Sequence, residues 1–219
     1  MRLLMLSYHA EAAAEAVARA ARLFQALARQ GHQVVWIAAP VAPEVATALG
    51  LRAQPQRLPP TCRYVLPCQA YSVGRLCLYA LDAALWQQPA LHTRLFTFLC
   101  LLQRARPGDL LHVWGDFPAP YLGVYTARVL GLPAVVTYRS AAVPAEAQQA
   151  FAWRWTLQHT RAALVGSAAL GRRLVGQGLP APRVRVLPTA TPRALLRLYG
   201  SLCSPAAAAA EAEQQRVIT

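Results

Sequence analysis

His112, Trp114 and Asp116 stand two residues apart at the end of one expected strand, and Arg139 and Ser167 follow at the ends of the next two. An imidazole in such a place can orient a hydroxyl, or sit half-buried and bonded to backbone. Trp114, beside Gly115, has an aromatic face and a polar edge that suit a sugar or a lipid headgroup, although core packing is the more frequent use. Asp116, in the loop Gly115 to Pro118, can accept from a hydroxyl, while a plain turn aspartate is its default role. Arg139 stays protonated, so it cannot serve as a general base, but it can clamp a phosphate or carboxylate bidentately. Ser167 precedes a helix, where capping alone explains it and ligand contact is the alternative.

A further candidate is the loop Ser7 to Glu15, which follows the first strand and contains no glycine. A phosphate crevice at that place usually needs glycine, because backbone N–H groups must approach the ligand closely. Ala14 still leaves N–H groups at a positive helix end, whereas Glu15, if it faced the crevice, would repel phosphate. An acidic first turn that merely complements the helix dipole is the competing reading.

Other chemistries find no support. No Ser-His-Asp set, P-loop or metal cluster can be read, so hydrolase and NTPase activities are not expected and no metal is called for. The cysteines (Cys62, Cys68, Cys77, Cys100, Cys203) form no CxxC pair and no even disulfide set, which suits a reducing cytoplasm. All 22 basic residues are arginine, and the net charge of +13 attracts phosphate-rich partners. The arginines are scattered, without a basic run interleaved with aromatics, so nucleic acid is not an expected partner. The opening strand is not a signal peptide, and Leu95 to Leu102, the most apolar stretch, is far shorter than the ~20 residues of a bilayer span. Surface contact with anionic lipid through the arginines and the Trp86, Trp153 and Trp155 segments remains compatible with this composition.

The elements that must position these residues alternate. Arg2 to Leu6, Gln33 to Ala38, Asp109 to Trp114, Ala134 to Tyr138, Ala162 to Gly166 and Val184 to Pro188 read as strands. Helices are expected from about Ala10 to Gln30, Ala119 to Leu130, Glu146 to His159 and Ser167 to Gln177, with a short one near Val45 to Leu49. Between them, Arg63 to Leu66 is expected as a strand and Ser72 to Ala105 as two helices broken at Pro89. Several strands are rich in Val, Leu and Ala on both faces, which predicts an α/β fold with a Rossmann-like, doubly wound parallel sheet over residues 1–192. Residues 193–219 read as a short helical or frayed tail, with Ala194 to Tyr199 a short helix, Ser204-Pro205 a helix start and Ala206 to Arg216 alanine-rich.

Five segments resemble, in order and spacing, the amino-terminal domain of GT-B glycosyltransferases of family 4. They are the opening strand; Leu27-Ala28-Arg29-Gln30-Gly31-His32-Gln33-Val34; Asp109-Leu110-Leu111-His112; Gly131-Leu132-Pro133-Ala134-Val135-Val136-Thr137; and Ala163-Leu164-Val165-Gly166-Ser167 with Gly178-Leu179-Pro180 and Arg183 to Pro188. The resemblance implies a domain that holds the sugar acceptor, with the nucleotide-sugar donor held by a second domain and hexosyl transfer, with retention, in the cleft between them. It makes His112, Trp114, Asp116 and Arg139 acceptor-side candidates and Ala14, Glu15 and Ser167 donor-phosphate candidates. Trp114 stands where a second histidine often follows, Arg139 where a histidine often lies near the reacting sugar, and Thr189-Ala190-Thr191-Pro192 in place of an asparagine-glycine link. The donor half is not recognisable in Leu195 to Thr219. The expectation is therefore an enzyme that needs a separate donor-binding domain or subunit, cytoplasmic or on the inner membrane face, acting on a sugar acceptor, with a lipid-linked acceptor as one alternative. The alternative is a non-catalytic binding or scaffold module, or a decayed fragment.

Overall fold

The computed structural model of the chain describes residues 1–8, 14–38, 41, 43–54, 59–82 and 90–204. In chain order the elements are β1 (Arg2–Tyr8), α1 (Ala14–Arg29), β2 (Gln33–Ala38), α2 (Pro43–Ala48), β3 (Arg52–Ala53), α3 (Pro60–Val65), β4 (Cys68–Val73), β5 (Leu76–Leu81) and α4 (Leu91–Ala105). There follow β6 (Leu110–Gly115), α5 (Ala119–Val129), β7 (Ala134–Tyr138), α6 (Ala147–His159), β8 (Ala162–Val165), α7 (Ala168–Gly176), β9 (Val184–Val186) and α8 (Pro192–Leu202). Among the described residues they build one sheet in the order β3-β4-β5-β2-β1-β6-β7-β8-β9. From β5 to β9 every pairing is parallel, and β3 and β4 extend it as antiparallel edge strands.

The expected doubly wound, Rossmann-like α/β fold is the one observed. The strand order reverses between β1 and β6, which opens a crevice beyond their carboxyl ends. Each βα unit uses the local chemistry read from the sequence. In α1, Ala20, Ala21, Phe24, Leu27 and Ala28 are buried at helical spacing while Arg19 and Arg22 face outward, and Gly31, at φ +90°, turns the chain out of the helix.

Strand alternation then divides the core in two. On one face Leu111 and Val113 of β6, Val136 and Tyr138 of β7 and Val165 of β8 pack with α3 to α6. On the other, Leu110, Val135 and Leu164 pack with α1 and with Leu195 and Tyr199 of α8. The period of two therefore sets His112, Trp114 and Thr137 on the α1 and α8 side. Helix α8 is docked by those two buried residues, so the chain past Pro192 belongs to the domain at least to Leu202.

Two expectations are corrected. Arg63 to Leu66 is not a strand: α3 covers Pro60–Val65, with proline in its first turn, where a missing N–H costs nothing. The first of the two helices expected after Ser72 is a hairpin, β4 turning through Gly74, at φ +55°, into β5. All six residues of β5 are buried, so it carries no polar alternation and its Leu- and Ala-rich run imitates a helix. The second expected helix is α4. Trp86 and Ala206 to Arg216 lie outside the described residues, as do Ala13 and the rest of the loop from residue 9 to it.

Helix α5 lies so close to β6 that a Cβ on Gly123 would overlap Val113 Cγ2 and stand 3.3 Å from Val113 Cβ. Gly123→Ala should therefore destabilise the domain by about 1–3 kcal/mol in urea unfolding, despite alanine's better helix propensity. In the Gly123→Ala/Val113→Ala double variant the loss should be smaller than the sum of the two single losses, because the clash and the cavity cancel in part.

Candidate functional site

Along the carboxyl edge of β6, β7 and β8, on the side of α1, the chain forms an open cleft of about 950 Å³. Its walls are Arg19, Arg22, Leu23 and Ala26 of α1, Trp114 and Thr137 at the strand ends, Arg139, Gly166 and Ser167 after the strands, and Leu187 to Ala190 leading to α8. Arg19, Arg22 and Arg139 give it positive charge, and none of the described residues lining it is acidic. Helix α7 adds its N-terminus, where Ser167 Oγ accepts from Leu170 N–H at 3.2 Å. Ser167 is thus the cap its sequence context predicts, and its exposed hydroxyl also lines the cleft. Arginines and a helix N-terminus around one space form a site that favours anions.

The sequence candidates divide. Trp114, Arg139 and Ser167 meet in this cleft. Asp116 does not: it lines a smaller neighbouring hollow of about 270 Å³ with Phe117, Ser140, Gln149 and Trp153, on the other side of Tyr138. Backbone at Ala14 and Glu15 opens α1, and their side chains lie outside the described part of the structure. Trp153 is 3% exposed, with its indole N–H donating to Gln177 Oε1 at 3.1 Å, so it packs the core. Trp155 is half-buried and stacks on His159 at 4.2 Å.

His112 takes no part in the cleft wall. It is fully buried beneath it and bonded on both ring nitrogens. Nε2 lies 2.8 Å from Thr137 Oγ1, and Nδ1 lies 2.6 Å from the Tyr199 hydroxyl and 3.1 Å from Trp114 Nε1. Trp114 in turn meets Phe24 of α1 edge-on, with ring centroids 5.3 Å apart. One edge of the indole therefore packs the core while the residue still borders the cleft. Thr137 and Tyr199 escaped the sequence reading. Thr137 carries a usable signal, because in parallel neighbours Trp114 pairs with Thr137 and side chains two residues apart share a face.

Burial pushes the His112 imidazole down to about 3, so it is neutral throughout the physiological range. Among the described residues, the ionisable groups lining the cleft are the arginines and Tyr138, whose phenol burial pushes up. The cleft can bind and orient an anion, and none of those groups exchanges a proton near neutrality. No group of three or more His, Cys, Asp or Glu that could hold a metal ion exists among the described residues.

A histidine held neutral when folded but free to charge when unfolded costs stability as pH falls, from its ordinary value of 6.5 down to about 3. Across that window wild-type stability should fall more steeply than that of His112→Gln, by up to about 1.4 kcal/mol per pH unit. Urea midpoints measured against pH for both proteins check this; parallel curves would show that His112 is charged in the folded state.

Comparison with known proteins agrees with this architecture. No curated protein matches the chain by sequence. Among solved structures it is similar to the UDP-GlcNAc 2-epimerase of Neisseria meningitidis bound to UDP-GlcNAc, with a TM-score of 0.55 and 13% identity over 94% of this chain and 52% of that one. It is similar also to the UDP-GlcNAc 2-epimerase of Methanocaldococcus jannaschii (TM-score 0.54, 11% identity, 85% of this chain and 45% of that one). Anabaena HepE in complex with UDP gives a TM-score of 0.51 at 14% identity, over 85% of this chain and 43% of that one. The chain thus spans about half the length of these structures. At such identities the likeness concerns the fold. The sequence model of the glycosyl transferase 4-like domain, by contrast, matches residues 15–190, well over half of the chain, and the protein belongs to that family.

Proposed function

We propose that this domain is the acceptor-side half of a nucleotide-sugar-dependent glycosyltransferase, and that its arginine-rimmed cleft takes the anionic part of a substrate. The reading is carried by one observation: in a glycosyl transferase 4-like domain, an open cleft at the carboxyl edge of the sheet is lined by Arg19, Arg22 and Arg139, with no acidic side chain among the described residues that line it. Arg139 acts as a clamp on an oxyanion, and Asp116 and Ser140, in the adjoining hollow, suit an uncharged hydroxyl-bearing acceptor. The donor's nucleoside is held by a second domain or subunit, while its diphosphate reaches this cleft at Ser167 and the arginines. The arginines of the surface, with the partly exposed Trp155, favour peripheral contact with anionic lipid at a cytoplasmic membrane face.

A second reading, a binding module without catalysis, is favoured by the absence of any near-neutral proton-exchanging group among the described residues that line the cleft. Calorimetric titration with UDP-GlcNAc, followed by an assay for released UDP, separates the two. Saturable binding that weakens with salt is expected, and Arg139→Ala should weaken it about tenfold. Binding with hydrolysis or transfer supports the enzyme; binding without either, even with a donor domain supplied, supports the module. A chain that neither binds nor hydrolyses a nucleotide-sugar refutes the glycosyltransferase reading.

A further inference from the structure

The buried chain beneath the cleft has only one consistent assignment of protons. An indole N–H can only donate, so the 3.1 Å approach of Trp114 Nε1 to His112 Nδ1 requires a lone pair on Nδ1. The Tyr199 hydroxyl, 2.6 Å from the same bare nitrogen, can then only donate, so the two donors share its single lone pair. A neutral imidazole with Nδ1 bare carries its hydrogen on Nε2, which must donate to Thr137 Oγ1 at 2.8 Å. One lone pair of Oγ1 is thereby occupied. Thr137 has no other polar partner among the described residues, it is half-buried, and it borders the cleft. Its own O–H is left to point into the cleft.

We propose that Thr137 is a specificity-determining residue whose hydroxyl is held as a hydrogen-bond donor to the ligand by the Trp114, Tyr199 and His112 network behind it. A threonine hydroxyl ordinarily gives or takes; this one is biased to give, so it selects a ligand atom that only accepts. Beside Arg139 and the N-terminus of α7, the fitting ligand chemistry is an ionised phosphate-ester oxygen. Here Thr137 touches the ligand and His112 positions it. The inference deepens the functional reading above and rests on it.

Two measurements on the full chain test it. The ring-nitrogen NMR shifts of His112 at neutral pH should report the Nε2–H tautomer; the Nδ1–H tautomer would overturn the proposal whatever the protein binds. Titration with UDP-GlcNAc and with inorganic pyrophosphate should show Thr137→Val binding about tenfold or more weakly than wild type, with Thr137→Ser recovering most of the loss. Circular dichroism of each variant confirms the fold, and a merely structural role for Thr137 would be exposed by equal affinities of Thr137→Val and wild type. That equality overturns this inference and leaves the functional reading intact. A wild-type chain that takes neither probe overturns both.

Discussion

A neutral imidazole placed in a dry core must satisfy both of its ring nitrogens, and the way His112 does so ties together the parts of this domain that matter for ligand binding. An unsatisfied buried polar group costs about 1–3 kcal/mol, a large share of a domain's net stability. The partners that prevent this loss come from β6 itself, from β7 and from α8. Tyr199 therefore does two things at once: its ring fills the core beside α1, and its hydroxyl caps the histidine. Helix α8, whose sequence looks like a fraying end, is held by a polar bond as well as by apolar packing.

The same network explains why the α1 side of the sheet carries the cleft. Aromatic rings stand edge-on in sequence from Trp36 through Phe24 to Trp114 and His112, with centroids 5.1 to 5.4 Å apart. They fill the layer beneath α1 up to the strand ends and stop there. Beyond them the strand-end side chains Thr137, Arg139 and Ser167 border the open cleft. On the opposite face Tyr138 bonds to Thr160 and packs edge-on against Trp153, and the hollow left there is much smaller. Tyr138 is thus the partition between a positively charged space and one bordered by the Asp116 carboxylate.

Much of the fold is legible in the sequence because its rules are local. Glycine ends α1 and α5, largely apolar strands of four to six residues form β2, β6, β7 and β8, and Ser167 caps α7. The region from Pro60 to Leu81 is not legible in this way, since a strand buried on both faces loses its alternation and the apolar Cys62 and Leu66 anchor a short helix that resembles an extended run. The site is legible in part. Arg139 and Ser167 follow from strand ends that the pattern locates, and Trp114 follows with them. Thr137 and Tyr199 depend on pairings between β6 and β7 and between β6 and α8, which a single sequence encodes only through the accumulated period of two.

Arg139 at the rim brings a fixed positive charge to the cleft, and its exposure limits what that charge can contribute by itself. Each arginine there is exposed, and a charge pair at 4 Å in water is worth about 1 kcal/mol, against about 4 kcal/mol where the surroundings behave as a medium of dielectric near 20. An open cleft therefore spends much of its charge on solvent. A second wall laid across the carboxyl edge would exclude that water and strengthen every contact made by Arg139 and Thr137, without any change in their positions. Half of the length of the similar solved structures lies outside what this chain spans. On this physical ground a cleft with exposed positive donors and weak enclosure, lined among the described residues by no acidic side chain, gains more from such a wall for an anionic ligand than from any further arginine at its rim.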